Sequence, residues 1–482
     1  MSSQPASSPG DQVPLCVDLD GTLILSDMLW ESLVRLLRNN PLWLFVVPFW
    51  WIRGRACLKQ QIARRVEVDA STLPFHEPFL AWLRAEKKSG RRLILATASD
   101  RAMADPVARH VGLFDEVLAS DGQTNLRAGA KRNALAKRFG ERRFDYAGNS
   151  SVDLAVWEGT REAIVVNAGE GLHRRAARVT KVGKFFPGKA SVVAALWNSL
   201  RPHQLVKNLF VFGPILSWHQ IHLWPLLSGI GAFVSLCLCA SGGYVLNDLL
   251  DVEADRHHPT KRRRPLASGN LPLPIGLLIA PVLLTMGAVV ASQLTATLVA
   301  LLALYLVATS LYSWQLKRVP LLDVFVLTGL YTLRLIAGHI VTGIEYSAWL
   351  LVFCMFIFLS LALLKRFGEL LVLRGQNLTD AKGRGYTAAD LELVAMIGLV
   401  SGYLAVLVLA LYVNSPQVLE LYQRPLLLLL ICPLLLYWIS RVWLIGHRGQ
   451  MHNDPVVFAL KDWPSYVIGT LTLVVLWLAT GS

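Results

Sequence analysis

From about Leu205 onward the chain is a succession of long apolar runs, each near the roughly 20 residues that a hydrocarbon core demands, separated by short polar loops. Runs of this kind are buried in lipid as helices, because backbone groups in hydrocarbon have to be satisfied within their own segment. We read nine spans, near 205–221, 225–246, 273–292, 295–311, 321–341, 347–364, 391–413, 424–440 and 465–480. An overall hydrophobic share of 54% is likewise too high for a soluble enzyme of this length.

Residues 13 to about 180 have another character. Short β-like runs at 13–17, 92–96, 116–119, 146–148 and 163–166 alternate with helical stretches, the pattern of an open parallel sheet. The fold expected is an N-terminal α/β Rossmann-like domain followed by an all-α polytopic membrane domain of about nine transmembrane helices. The Ser- and Pro-rich residues 1–12 lack the apolar core of a signal peptide and read as a disordered lead. The apolar run 41–52 is too short to span; it is either a buried helix of a cap or an interfacial element carrying Trp43, Trp50 and Trp51. The six cysteines include no Cys-x-x-Cys pair, so neither a disulfide framework nor a zinc site is expected.

The net charge of +14 belongs to loops rather than to a tail, which points to a membrane and anionic substrates and not to nucleic acid. Loops after the second, fourth, sixth and eighth spans carry Arg256, Lys261, Arg264, Lys317, Arg318, Lys365, Arg374, Lys382, Arg441 and Arg448, and the alternate loops are almost free of cations. These loops and the N-terminal domain are expected on the cytoplasmic side of a bacterial inner membrane, with the C-terminus outside.

At the end of the second span, Asn247 is followed by Asp248, Asp251 and Asp255, a spacing of i, i+3, i+7 that aligns three carboxylates on one helical face. Oxygen ligands so placed suit Mg²⁺, which normally shares its shell with substrate phosphates. Arg256, Lys261, Arg262 and Arg264 follow directly and offer donors to phosphate oxygens. Arg334, inside a span, is costly in lipid and is expected to face a polar cavity.

The Asn-Asp-x-x-Asp-x-x-x-Asp arrangement resembles the first motif of the UbiA superfamily of intramembrane prenyltransferases, with Lys207 in the family's segment before the first span. Aromatic prenyltransferases of that family carry a second Asp-x-x-x-Asp pair, where this chain has only Asp323 after Tyr312 and Lys317. Together with Lys365, Arg366 and the late Asp454-Pro455 segment, the pattern resembles the branch that transfers 5-phosphoribosyl from phosphoribosyl diphosphate to decaprenyl phosphate, towards lipid-linked D-arabinofuranose. That resemblance implies Mg²⁺ on Asp248, Asp251 and Asp255, catalysis by Asp248 and Asp251, and substrate contacts from Lys207, Asn247, Arg256, Lys261, Arg262, Arg264, Tyr312, Lys317, Asp323, Arg334, Lys365 and Arg366. The alternative is a UbiA-type enzyme that attaches a prenyl diphosphate-derived chain to an aromatic or other acceptor; a transporter or lipid scaffold with an inert soluble domain is the reading from another class.

In the first domain Asp18 and Asp20 follow a strand, Thr97 and Ser99 end another, Lys131 opens a helix, and Asn149 and Asp153 follow a further strand. One acid of an Asp-x-Asp pair can attack a phosphoryl group while the other handles the proton. These elements in this order resemble the haloacid dehalogenase superfamily, specifically its phosphatases with a helical cap. The resemblance implies Asp18 as nucleophile, Asp20 as acid/base, Thr97, Ser99 and Lys131 as phosphate binders, and a second Mg²⁺ on Asp18, Asp20, Asn149 and Asp153. Asn149 departs from the family, standing where an acidic ligand is usual: it offers a carbonyl oxygen but one negative charge fewer. The domains expected are a hydrolase over 13–170 with its cap near 24–90, a linker or surface helix over 171–199, and the transferase over 200–482.

Overall fold

The computed structural model describes residues 13–120, 126–188, 191–218, 222–376, 384–415, 418, 422–451, 454–459 and 461–480. The expected lead at 1–12 and Lys382 lie outside them. The chain divides into two compact units, one of residues up to Leu200 together with Val245–Ile279, the other of Arg201–Tyr244 and the residues from Ala280 onward.

In the first unit six parallel strands, β1 (Leu15–Val17), β2 (Leu93–Asp100), β3 (Glu116–Ser120), β4 (Asp145–Gly148), β5 (Glu162–Ala168) and β6 (Lys181–Pro187), lie in the order β3-β2-β1-β4-β5-β6. The order reverses beside β1, so a crevice opens at its carboxyl end, the place where open α/β sheets take ligands. The inner strands are apolar almost throughout, as strands covered on both faces are, and Leu15, Val17, Leu93, Leu95 and Ala147 join one buried cluster. Asp145 is the polar exception; fully buried, it accepts from Arg91 and Arg161 and from the Glu162 amide.

Between β1 and β2 the chain inserts helices α1 (Met28–Asn39), α2 (Trp43–Ile52), α3 (Arg55–Ala63) and α4 (Glu77–Lys88). Asp27 caps α1 by accepting from the Leu29 amide, and His76 caps α4 by accepting from Phe79. Val245–Ile279 packs with this insertion. Glu253 pairs with Arg35 and Arg38, at 3.2 and 2.7 Å, and Leu277 joins the apolar cluster of the sheet.

The stretch 171–199, expected as a linker or surface helix, instead continues the fold through helix Glu170–Val179, edge strand β6 and helix Val192–Leu200. β6 is half solvated and interspersed with Lys181 and Lys184, so it lacks the apolar run that marks the inner strands.

Among the described residues eight helices are long and apolar enough to cross a membrane: Leu223–Leu250, Leu273–Leu294, Ala296–Trp314, Leu322–Thr342, Ala348–Gly375, Ala388–Val413, Pro425–His447 and Trp463–Thr480. They coincide with the expected second to ninth spans. The first, at 205–221, is broken into Pro202–Leu205, a 3-10 segment Val206–Phe212 and Gly213–Trp218, with Pro214 in the last piece unable to continue a regular ladder.

Candidate active sites

Asp18 leaves the end of β1, where its amide donates to the Ala147 carbonyl of β4. Lys131, at the start of helix Gly129–Phe139, reaches it with Nζ 2.8 Å from Oδ1 and also donates to the Tyr146 hydroxyl at 2.7 Å. Tyr146 in turn donates to Asp153, whose other oxygen accepts from the amides of Asn149 and Ser150 and from the Ser150 hydroxyl. Asp153 thus shapes the loop that presents Asn149. Gly21 is needed beside it: the residue has φ +72°, and a Cβ there would run into the Asn149 amide group.

Asp20 accepts from the Met28 amide at 2.9 Å and from the Ser99 hydroxyl at 2.6 Å, and the Ser99 amide donates to Thr97. Burial pushes Asp18 up to about 7, with Asp153 and Asp20 adding to the rise and Lys131 opposing it. Burial also pushes Asp20 up to about 6, aided by Asp27 and opposed by its bonds from Ser99 and Met28. A carboxyl near 6 gives and takes protons close to neutrality, as an acid/base requires. Asp20 and Asp153 add negative charge beside Asp18, which Lys131 pairs with, and a divalent cation with Asn149 as a neutral ligand would fit that charge.

The three aspartates after Asn247 lie in the same unit. Asp248 closes helix Leu223–Leu250 and Asp255 sits in the short helix Val252–His257; both are buried, and both pair with Nη1 of Arg264, at 2.9 and 2.6 Å. Two carboxylates from consecutive helices therefore aim at one point, across the turn at Asp251. Burial pushes the Asp255 carboxyl up against the pull of Arg264. Asp251 lies between the two helices, and its carboxylate makes no ion pair or side-chain hydrogen bond among the described residues. The set suits a hard cation, although Arg264 holds two of its members here. Among the described residues no three His, Cys, Asp or Glu side chains already converge as a ready metal cage. Lys261 and Arg262 are exposed, with Lys261 at 4.0 Å from Asp255, and Asn247 is half-buried.

Arg256 is spent differently from a phosphate ligand. Its guanidinium donates to both oxygens of Glu31, at 3.0 and 2.7 Å, and to the carbonyls of Thr72 and Ala267. Arg256→Ala would strand a buried carboxylate, and we expect a cost of about 3–5 kcal/mol. The unfolding temperature of the solubilised chain should fall, and the double change Glu31→Gln with Arg256→Gln should recover most of the loss, since it leaves neither charge unpaired.

The second unit holds two further polar clusters. Arg334, buried, donates to Asn208 at 2.8 Å, to the Tyr305 hydroxyl at 3.3 Å and to the Leu330 carbonyl, with its guanidinium over the rings of Tyr305 and Tyr331. Lys207 also lies at the Tyr331 ring, 5.4 Å from its centroid, and pairs with Asp454 at 2.6 Å, and Lys365 reaches the same oxygen at 3.3 Å. In the other cluster the fully buried Asp323 takes Arg366 at 2.5 Å and the Tyr386 hydroxyl at 2.6 Å, and Arg366 and Arg384 both pair with Glu369. Tyr312 and Lys317 lie at the end of helix Ala296–Trp314 and in the turn after it. Asn208, Tyr305 and Tyr146 were absent from the residues expected at the sites. Asp454 was legible only as part of the late Asp-Pro segment, with nothing to announce that it balances two lysines.

Residues 209–461 match the model of the UbiA prenyltransferase family. The chain belongs to that family. Residues 15–157 match the haloacid dehalogenase-like hydrolase family, so a hydrolase-type domain precedes the UbiA part in a multi-pass membrane enzyme. The same arrangement extends along a relative: the uncharacterized protein y4nM of Sinorhizobium fredii is 36% identical over 464 residues, 95% of this chain and 90% of its own. The nodulation protein NoeC of Azorhizobium caulinodans is 37% identical over 276 residues, 56% of this chain and 88% of its own. The decaprenyl-phosphate phosphoribosyltransferase of Mycolicibacterium smegmatis is 36% identical over 185 residues, 37% of this chain and 58% of its own length.

Proposed function

We propose that the UbiA part transfers 5-phosphoribosyl from phosphoribosyl diphosphate to a polyprenyl phosphate such as decaprenyl phosphate, and that the N-terminal domain then removes the 5-phosphate from the product, towards lipid-linked D-arabinofuranose. The observation that carries the reading is the aim of Asp248 and Asp255 at one point, with Asp251 unengaged beside them, in a chain related over 185 residues to a decaprenyl-phosphate phosphoribosyltransferase. The division we propose is a hydrolase from residue 13 that runs past 170 to include β6, followed by the transferase over 200–482, with the hydrolase in the cytoplasm of a bacterium, as the cation bias of the loops supports.

Asp248, Asp251 and Asp255 would hold Mg²⁺ in one site and Asp18, Asp20 and Asn149 in the other, with Asp153 free to join only if it gives up its bonds from Tyr146, Asn149 and Ser150; the ion would supply a Lewis acid that offsets charge on phosphate oxygens. In transfer, the bond from C1 of the ribose to diphosphate breaks and its electron pair leaves with diphosphate. An oxygen of the lipid phosphate donates a pair to C1. That phosphate is already ionised at neutral pH, so no general base is needed. Arg264, released from Asp248 and Asp255, takes the leaving diphosphate, and Lys261 and Arg262 add donors to it. Within the second unit, Lys207, Lys365 and Arg334 are cations that can each hold a phosphate, with Asn208 and Tyr305 fixing the Arg334 fork.

In hydrolysis, Asp18 attacks phosphorus while Lys131, Thr97 and Ser99 orient the phosphate, and Asp20 gives the leaving alkoxide its proton. Water then cleaves the aspartyl phosphate and returns a proton to Asp20.

Purified chain given Mg²⁺, phosphoribosyl diphosphate and decaprenyl phosphate should release diphosphate in step with ribose entering the lipid extract. Consumption of a prenyl diphosphate, with phosphoribosyl diphosphate left untouched, would overturn the donor assignment and put prenyl transfer in its place.

A further inference from the structure

The crevice over Asp20, Gly21 and Asn149 widens into a cavity of about 650 Å³, the size of a site for a ligand much larger than inorganic phosphate. Part of its wall comes from Gly269, Asn270, Pro272, Leu273 and Pro274, residues that lie within the UbiA match rather than the hydrolase match. The segment is fixed there. Gly269 has φ +77° and sits so close to Leu25 that an added Cβ would fall 2.7 Å from the Leu25 Cβ, and Arg256 ties the Ala267 carbonyl to Glu31. The lining also includes Trp30, whose ring packs at 6.0 Å on Trp51 of α2.

Helix α2 is apolar on every face, yet only Trp50 is buried. Leu44, Phe45, Phe49 and Ile52 are 60%, 70%, 67% and 82% exposed. A patch of this kind in water marks a contact surface. Among the described residues eight helices are of membrane length, so α2 is not needed as the anchor. Exposed Arg53, Arg64 and Arg65 border the helix, with the Arg65 guanidinium 5.2 Å from the Trp43 ring and 4.9 Å from that of Trp50. Tryptophans at headgroup level, with cations beside anionic headgroups, are the composition of an interfacial helix. An apolar surface thus runs from α2 through Trp51 and Trp30 into the cavity above Asp20.

We propose that α2 lies in the bilayer surface and that the hydrolase cavity takes the phosphorylated headgroup of a membrane lipid, the lipid chain leaving along Trp30 and Trp51 and the wall at 269–274 enclosing the sugar. This rests on the reading of Asp18 as a phosphatase nucleophile for a lipid-borne phosphate monoester and adds α2, lying in the bilayer surface, as the element that brings that lipid to the site. The ester P–O bond breaks as the Asp18 oxygen bonds to phosphorus, Asp20 protonates the alcohol, and water releases phosphate from Asp18. The net change is one water consumed, with phosphate and a lipid-borne alcohol formed.

The test uses the full chain in phosphatidylcholine–phosphatidylglycerol vesicles and two substrates, synthetic polyprenyl-phosphoryl-ribose 5-phosphate in the same vesicles and p-nitrophenyl phosphate in solution. Phe45→Ser with Phe49→Ser removes exposed apolar surface and nothing from the cavity. We expect its KM for the lipid substrate, in mole fraction, to rise roughly tenfold, with kcat/KM for p-nitrophenyl phosphate unchanged. Phe45→Leu with Phe49→Leu should behave as wild type. Equal losses on both substrates, or no loss on the lipid one, overturn the proposal. Wild type that cleaves p-nitrophenyl phosphate but not the lipid overturns it while sparing the phosphatase reading; wild type that cleaves neither overturns both.

Discussion

Asp18→Asn should stop dephosphorylation, a loss of roughly 10⁴–10⁶-fold by the scale of other nucleophile removals, and leave transfer intact. The amide keeps the shape of the carboxylate, and Lys131 retains its bond to Tyr146, so the fold has little reason to change. What disappears is the anionic oxygen that attacks phosphorus. Phosphoribosyl lipid should therefore accumulate with its 5-phosphate in place, detectable by mass spectrometry of the lipid extract. Asp20→Asn should also slow the reaction, because the buried acid that is poised near 6 is replaced by a group that cannot shuttle a proton.

Asp251→Ala should cost transfer roughly 10²–10³-fold or more, the scale on which loss of one group stabilising transition-state charge is felt. Unlike Asp248 and Asp255, which Arg264 pins, Asp251 has no side-chain partner among the described residues and does not cap the helix that follows it. Its removal should leave the unfolding temperature nearly unchanged, since surface changes away from such partners usually stay within about 0.5 kcal/mol. Diphosphate release falls while hydrolysis of supplied phosphoribosyl lipid continues, which separates a lost ligand from a damaged fold.

The parts of the molecule that were legible in the sequence share a physical cause. β1, β2, β4 and β5 have largely buried interiors and so are written mostly in apolar residues, and Asp248 and Asp255 were legible as a carboxylate pair at helical spacing that meets at Arg264 across the turn at Asp251. β6 escaped because a half-solvated edge strand needs no such run. The segment 205–221 is apolar enough for a span, but hydropathy does not register the 3-10 turn or the Pro that break it. Arg256, read with its neighbours as a phosphate donor, is committed to Glu31, a partner 225 positions away that no local pattern reveals. Asp323 likewise draws Arg366 and Tyr386 from 43 and 63 positions away, which makes it a buried structural acid in addition to the lone remnant of a second motif.

The coupling of two chemistries in one chain is tested most directly with phosphoribosyl diphosphate carrying tritium on the ribose and radiophosphorus in the 5-phosphate. With Mg²⁺ and decaprenyl phosphate, wild type should place tritium in the lipid extract and return the radiophosphorus as inorganic phosphate, and Asp18→Asn should keep both labels in the lipid at equal ratio. Lipid that carries neither label from wild type would contradict the account at its centre, and lipid that keeps both labels from wild type would contradict its hydrolytic half.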